Sequence, residues 1–244
     1  MTNRLTGILL ATLLAPLSVT SAQAEQAVQS YQSMYEDFVE KQASKSSNFT
    51  AEDRAIMQKA SQQLQQQLTN PGIAVGKPAP AFSLPNAFGD TIRLTEQLEQ
   101  GPVILVFYRG AWCPYCNLYL HALQKNLSIF KQYNASLITI TPQQPDKSAE
   151  QIKKDKYPFE VLSDLDSRVM QAYNLYFRIP DELVAVYKKA GLDIEDYNGK
   201  NRNVLPVPGT FIIDQQGIVR AMHAETDYKK RMEPADIIQT LKTL

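Results

Sequence analysis

The only two cysteines of this 244-residue chain have two residues between them, in Trp112-Cys113-Pro114-Tyr115-Cys116. Sulfurs at that spacing can close a small disulfide ring. So short a ring removes little freedom from the unfolded chain, so it has little use as a structural staple. At the start of a helix the same pair has another use. The first-turn N–H groups lack partners and carry partial positive charge, which favours a thiolate. A thiol there ionises below its ordinary pKa of about 8.5. Pro114 fits the first helical turn, where a missing N–H costs nothing. The pattern points to thiol–disulfide redox chemistry, with a structural disulfide or half of a metal site as the bland alternatives. Cys116, Leu120, Leu123, Leu127 and Phe130 recur at helical spacing, so Cys116 is expected on the buried stripe. Cys113, at the loop–helix junction, is expected to be exposed. That ordering assigns Cys113 as the attacking thiolate and Cys116 as the resolving thiol. Trp112 is expected to cover the edge of the disulfide. Arg109 is a nearby cation whose direction the sequence does not fix.

The elements that must position this pair follow from pattern. The run 103–108 (VILVFY) is continuously apolar and β-rich, as expected for a strand covered on both faces. A helix is expected over 114–130, directly after the cysteine loop. Further strands are expected at 92–94, 137–140, 159–162, 210–213 and 218–222. Helices are expected at 146–154, 168–173, 182–189 and 234–241. Asp214-Gln215-Gln216-Gly217 suits a type I turn between the last two strands. This order argues an α/β fold, a mixed sheet with helices on both faces. Upstream, residues 25–71 read as a helical extension rather than a catalytic unit. One helix is expected over 28–39. A second starts behind Thr50 as N-cap and is stopped by Asn70-Pro71-Gly72. The domain proper is expected to run over 72–244.

Composition narrows the function. Twenty-five basic and twenty-five acidic residues give zero net charge, so no global basic field favours nucleic acid. Two histidines and two cysteines are too few for a histidine-rich metal site or a four-thiolate zinc site. His121, two helical turns past Cys113, and His223 are expected at the surface or rim. Asp164 and Asp166 are expected to cap a loop, and Lys229-Lys230-Arg231 to be a solvated face. Tyr173, Tyr176, Phe177 and Tyr187 are expected in the core or rim, with a substrate groove as the sharper alternative. No phosphate loop or dinucleotide fingerprint is present, so no cofactor and no metal are expected. Residues 1–24 read as an export signal: Arg4, an apolar run over 5–17, and Ala22-Gln23-Ala24 as a cleavage pattern. The run is shorter than the roughly 20 residues of a membrane span, so no span is expected after cleavage behind Ala24. A periplasmic or other oxidising compartment is the expected location.

FYRGAWCPYCNLYLHAL at 107–123 resembles the thioredoxin superfamily, in its peroxiredoxin-like branch of the AhpC/TSA (redoxin) family. Four further stretches share the resemblance: VGKPAPAFSLPNAFGDTIRL at 75–94, ITPQQPD at 140–146, VLSDLDSRVMQAYNL at 161–175 and VPGTFIIDQQGIVR at 207–220. It implies a thioredoxin-like fold and thiol redox chemistry. The family's Pro-x-x-x-Thr-x-x-Cys pattern, laid on this chain, puts the peroxidatic cysteine at Cys116, the Thr at Cys113 and the Pro at Arg109. The family's arginine falls on Pro208. The usual groups that polarise a peroxide are therefore missing from their usual places. Pro208-Gly209-Thr210-Phe211 instead resembles the thioredoxin cis-proline loop, so Pro208 is expected to be cis and, with Thr210, to face the cysteines. Three functions compete on this reading. The first is dithiol–disulfide exchange with a protein partner or reductant, led by Cys113. The second is a peroxiredoxin-like peroxidase that reduces hydroperoxides at Cys116. The third is a non-catalytic binding module, against which the intact cysteine pair weighs.

Overall fold

The apolar run after Pro102 forms the central strand of the molecule because alternate residues feed two different cores. A computed structural model describes residues 27–43 and 49–244. In chain order its elements are α1 (Tyr31–Ala43), α2 (Ala51–Gln67), β1 (Ser83–Pro85), β2 (Thr91–Arg93), α3 (Leu94–Gln100), β3 (Val103–Phe107), α4 (Pro114–Lys125), α5 (Leu127–Gln132), β4 (Ser136–Thr141) and α6 (Pro145–Asp155). There follow β5 (Glu160–Ser163), α7 (Arg168–Ala172), β6 (Tyr176–Arg178), α8 (Asp181–Lys189), α9 (Glu195–Asn198), β7 (Val204–Pro206), β8 (Gly209–Ile213), β9 (Val219–Ala224) and α10 (Pro234–Leu241). The main sheet has the order β5-β4-β3-β8-β9. β3, β4 and β5 are parallel, and β8 runs antiparallel between β3 and β9. The expected mixed sheet with helices on both faces is what forms.

Ile104, Val106 and Tyr108 enter one core with Cys113, Cys116, Leu120, Leu123 and Phe130 from α4 and α5. Val103, Leu105 and Phe107 enter the other, against Leu94, Met170, Tyr173 and Phe211. The expected helix over 114–130 is two helices. Asn126 breaks it, its amide donating to the carbonyls of Ala122 and Gln29 while its carbonyl accepts from the Gln29 N–H. A side chain tied in this way to a segment 97 residues away is invisible to helical periodicity. The β6–β7 pair, α3 and α9 also lay outside the sequence reading, being too short to show a period. The Asp214–Gly217 turn is present: the Gly217 N–H donates to the Asp214 carbonyl.

The helical extension does not stand apart. α1 packs on α4, and α2 packs on α8. Thr50 caps α2 as expected. Its hydroxyl accepts from the Asp53 N–H while the Asp53 carboxylate accepts from the Thr50 N–H, a reciprocal capping box. Asp53 also pairs with Lys189 of α8 at 3.0 Å. Thr50→Ala should therefore cost about 1 kcal/mol of unfolding free energy. Urea denaturation measures the loss; no change would show that α2 is held by its α8 contacts alone.

Candidate active site

The chain leaves β3 at Phe107, and the loop 109–113 that follows is held by buried polar side chains. Gln143 accepts from the Ala111 N–H at 3.0 Å, and Asn117 donates to the Ala111 carbonyl at 2.7 Å. Gln151 donates to Asn117 and accepts from the Tyr108 hydroxyl. Gly110 has φ +146°, and a Cβ there would lie 2.6 Å from the Trp112 indole nitrogen. Only glycine fits that close approach. Cys113 is then the N-cap of α4, Pro114 sits in the first turn, and the Cys116 N–H donates to the Cys113 carbonyl.

The helix start is as expected, but the exposure is not. Cys113 and Cys116 are each only 1% exposed, so accessibility does not sort the two sulfurs. Cys113 is covered because α1 and the segment after β9 close over the loop. The Tyr31 ring stands edge-on to Tyr119 at 5.3 Å, and the Tyr31 hydroxyl donates to the Lys229 carbonyl. The Tyr31 and Gln32 N–H groups, at the start of α1, donate to the Glu233 carboxylate. Tyr115 meets both Phe38 of α1 and Tyr228.

Charge sorts the pair instead. Burial pushes the Cys113 thiol up, and its hydrogen bond to Cys116 keeps its proton in place. Burial also opposes ionisation of Cys116, but other contacts outweigh it. The hydrogen bond from Cys113, the Arg231 and Arg109 guanidinium groups and the Arg109 backbone N–H bring the Cys116 pKa down to about 6. Arg231 Nη2 lies 3.6 Å from Cys116 Sγ. The thiolate is thus present above pH 6 and lost as pH falls through that value. Titration of thiolate absorbance in the reduced protein should show one buried thiol ionising near pH 6, a signal that Cys116→Ser removes. A midpoint at the ordinary thiol pKa would overturn this assignment.

Arg109 is 6% exposed, stacked between the Trp112 ring at 4.8 Å and the Tyr228 ring at 4.3 Å. Its Nη2 donates to the Tyr187 hydroxyl at 3.1 Å. Trp112 thus packs against the cation and also against the core that holds both cysteines. Thr210, on β8 opposite Val106, shares a 3.0 Å hydrogen bond with the Tyr119 hydroxyl. Pro208 corrects the sequence reading: no cis peptide bond occurs among the described residues. β7 ends at Pro206 and β8 begins at Gly209, so Val207-Pro208 only bridges two strands. No chain reversal there requires the cis form. Arg231 is the residue that sequence reasoning missed. In the sequence it belongs to a run expected to be a solvated face, and only the fold brings it across 115 positions to Cys116.

The other candidates settle into structural roles. Asp164 accepts from the Val169 and Met170 N–H groups, capping α7 as expected. Asp166 pairs with Arg168. His121 lies 3.8 Å from Asp155 at the surface. His223, on β9, pairs in register with Thr210. Tyr173 is core, whereas Phe177 and Tyr187 line a cavity beside Arg109. Among the described residues no cluster of three His, Cys, Asp or Glu could hold a metal, and no helix is long and apolar enough to cross a membrane.

Known proteins resemble this chain. The chain is 32% identical over 105 residues to peroxiredoxin Bcp of Escherichia coli (strain K12), a match covering 43% of this chain and 66% of that one. It thus spans just under two thirds of that relative. It is 27% identical over 164 residues to the thioredoxin-like protein YneN of Bacillus subtilis (strain 168), covering 66% of this chain and 78% of that one. The fold matches the crystal structure of peroxidoxin BcpB from Mycobacterium tuberculosis with a TM-score of 0.55 at 21% identity, covering 70% of this chain and 98% of that one. The AhpC/TSA family model fits residues 75–222, more than half of the chain and all of the main sheet but its last two residues, and on that match the protein belongs to the AhpC/TSA family.

Proposed function

We propose that this protein is an exported thiol peroxidase in which Cys116 reduces a hydroperoxide and Cys113 closes the resulting disulfide. The observation that carries this reading is the Arg231 guanidinium 3.6 Å from Cys116 Sγ beneath a covered surface, with both cysteines 1% exposed, a setting that favours a Cys116 thiolate. A small hydroperoxide needs only a narrow path to such a thiolate. A protein disulfide needs an exposed sulfur edge to pair with, and here both cysteines are buried.

The steps follow from the charges. The Cys116 thiolate attacks one peroxide oxygen, an S–O bond forms and the O–O bond breaks. The leaving alkoxide or hydroxide takes up a proton and departs as alcohol or water. Cys116 is left as a sulfenic acid, oxidised by two electrons. Cys113, still protonated, loses its proton as its sulfur attacks the sulfenic sulfur. Hydroxide leaves as water and the Cys113–Cys116 disulfide forms. An external thiol reductant returns the two electrons by two exchange steps. Arg109 and Arg231 stand in for the polarising groups absent from the family's usual positions.

Stopped-flow mixing of the reduced protein with hydrogen peroxide tests this. One equivalent should be consumed, Trp112 fluorescence should change with it, and mass spectrometry should find the intramolecular disulfide. A rate no faster than that of a free cysteine, with rapid oxidation of a dithiol protein, would favour exchange led by Cys113. The Cys-x-x-Cys spacing and the thioredoxin-like relative support that second reading. Export rests on residues 1–24, which lie outside the described residues. Protein recovered from the exported fraction should have a mass that begins at Glu25.

A further inference from the structure

Beside the cysteine loop lies a cavity of about 400 Å³ between α2 and α8, in the size range of small-molecule sites. Met57, Leu64, Phe177, Leu183 and Pro208 give it apolar walls, and Arg109 stands in that lining with Tyr187 and Tyr228; Asp227, the carboxylate in the lining, pairs with Lys229 rather than with Arg109. Arg109 is more than nine-tenths buried, yet its Nε has no hydrogen-bond partner. Its one side-chain hydrogen bond goes to the Tyr187 hydroxyl rather than to a carboxylate. No carboxylate among the described residues pairs with it, although nine lysine or arginine side chains pair with carboxylates elsewhere among them. A buried guanidinium is costly without a counter-charge. In the reduced protein the cysteines supply one, since both sulfurs lie within electrostatic reach of Arg109. The disulfide form carries no charge there, so oxidation leaves the cation uncompensated beside an apolar cavity.

We infer that this cavity binds an apolar carboxylate, its tail between α2 and α8 and its carboxylate on Arg109, and binds it more tightly in the disulfide form than in the dithiol form. An apolar tail matches the walls, and a planar carboxylate matches the donors that a guanidinium presents. The coupling rests on one part of the proposed function, the ionised Cys116. It is reciprocal: a carboxylate that prefers the disulfide form shifts the redox equilibrium toward disulfide by the same factor.

Calorimetric titration with decanoate tests the inference, the disulfide form being made with diamide so that no peroxide chemistry is involved. Decanoate should bind the disulfide form at least ten-fold more tightly than the reduced form at pH 8. Decanol should bind both forms equally, and acetate neither. Reduced Cys116→Ser, which has no thiolate to compete, should bind decanoate as the disulfide form does. Leu64→Trp and Met57→Trp each fill the cavity from α2. Either should weaken decanoate binding ten-fold or more while leaving the rate with hydrogen peroxide unchanged, provided circular dichroism shows a native fold. Decanoate binding that ignores both tryptophans, or no binding to the disulfide form, would overturn the site. Equal affinity for the two redox forms, or weak binding by reduced Cys116→Ser, would overturn the coupling. A protein that binds decanoate in this pattern but does not consume peroxide would lose the peroxidase reading and keep this one.

Discussion

Cys116→Ser should abolish hydroperoxide consumption, a loss of at least about a thousand-fold, because the thiolate rather than the thiol is the nucleophile and Cys113 cannot replace it. Removing Cys116 leaves Cys113 buried, with its proton held by desolvation. It would still lack Arg231, whose guanidinium is directed at Cys116. Cys113→Ser should behave differently. It keeps the Cys116 thiolate, so one turnover should occur and stop at the sulfenic acid, which a dimedone-type probe would label and mass spectrometry detect. Multiple turnover with a dithiol reductant should fall sharply in that variant, since the internal thiol that closes the disulfide is gone. The exchange reading makes the inverse forecast. There, Cys116→Ser would accumulate mixed disulfides on Cys113 and Cys113→Ser would trap almost none. Retained peroxide consumption in Cys116→Ser, or strong mixed-disulfide trapping by that variant, would defeat the peroxidase assignment.

The proposed exchange of the two cysteine roles turns on features that sequence reasoning does not see. The helix start was legible, because Pro114 and the strand before it fix the place of Cys113 as N-cap and of Cys116 one turn on. The buried stripe through Cys116, Leu120 and Leu123 was legible from spacing alone, and it is in the core. On the sequence alone, exposure is the only criterion that sorts the two sulfurs. Exposure of Cys113 depends on what covers the loop, and the cover comes from α1 and from the segment after β9. A contact between Tyr31 and the Lys229 carbonyl spans 198 positions, and no local period encodes it. The same holds for Arg231. In the sequence it ends a short basic run, which by default is a solvated face. In the fold, the turn before α10 brings its guanidinium onto Cys116. Pro208 failed for the opposite reason. Its neighbours match a familiar motif, but the motif's backbone geometry is imposed by the paths of β7 and β8, which a four-residue likeness does not specify. Arg109 was seen as a cation of unknown direction; its direction is set by stacking between Trp112 and Tyr228, the second of them 119 residues away in sequence.

Arg231→Met should raise the Cys116 pKa and slow peroxide reduction at pH 7 by roughly ten-fold or more, on the scale of 1.4 kcal/mol per decade. Methionine keeps much of the length and apolar bulk of the side chain, so packing over the Tyr119 ring is largely retained while the charge is lost. The sign follows from the linkage. Arg231 stabilises the charged form of Cys116, so its removal moves the onset of the thiolate to higher pH. The variant's deficit should therefore be largest near neutrality and shrink as pH rises and the thiol ionises without help. A purely structural role for Arg231 would depress the rate at every pH and leave the midpoint of the profile in place. Arg231→Lys should restore much of the midpoint shift, because a point charge still favours the anion. It should recover less of the rate, because an ammonium lacks the planar donor fork that can hold both sulfur and peroxide oxygen. A pH–rate profile for the three proteins, with thiolate absorbance measured alongside, decides the matter. An unchanged midpoint in Arg231→Met would mean that Arg109 and the Cys113 hydrogen bond suffice to hold the Cys116 anion.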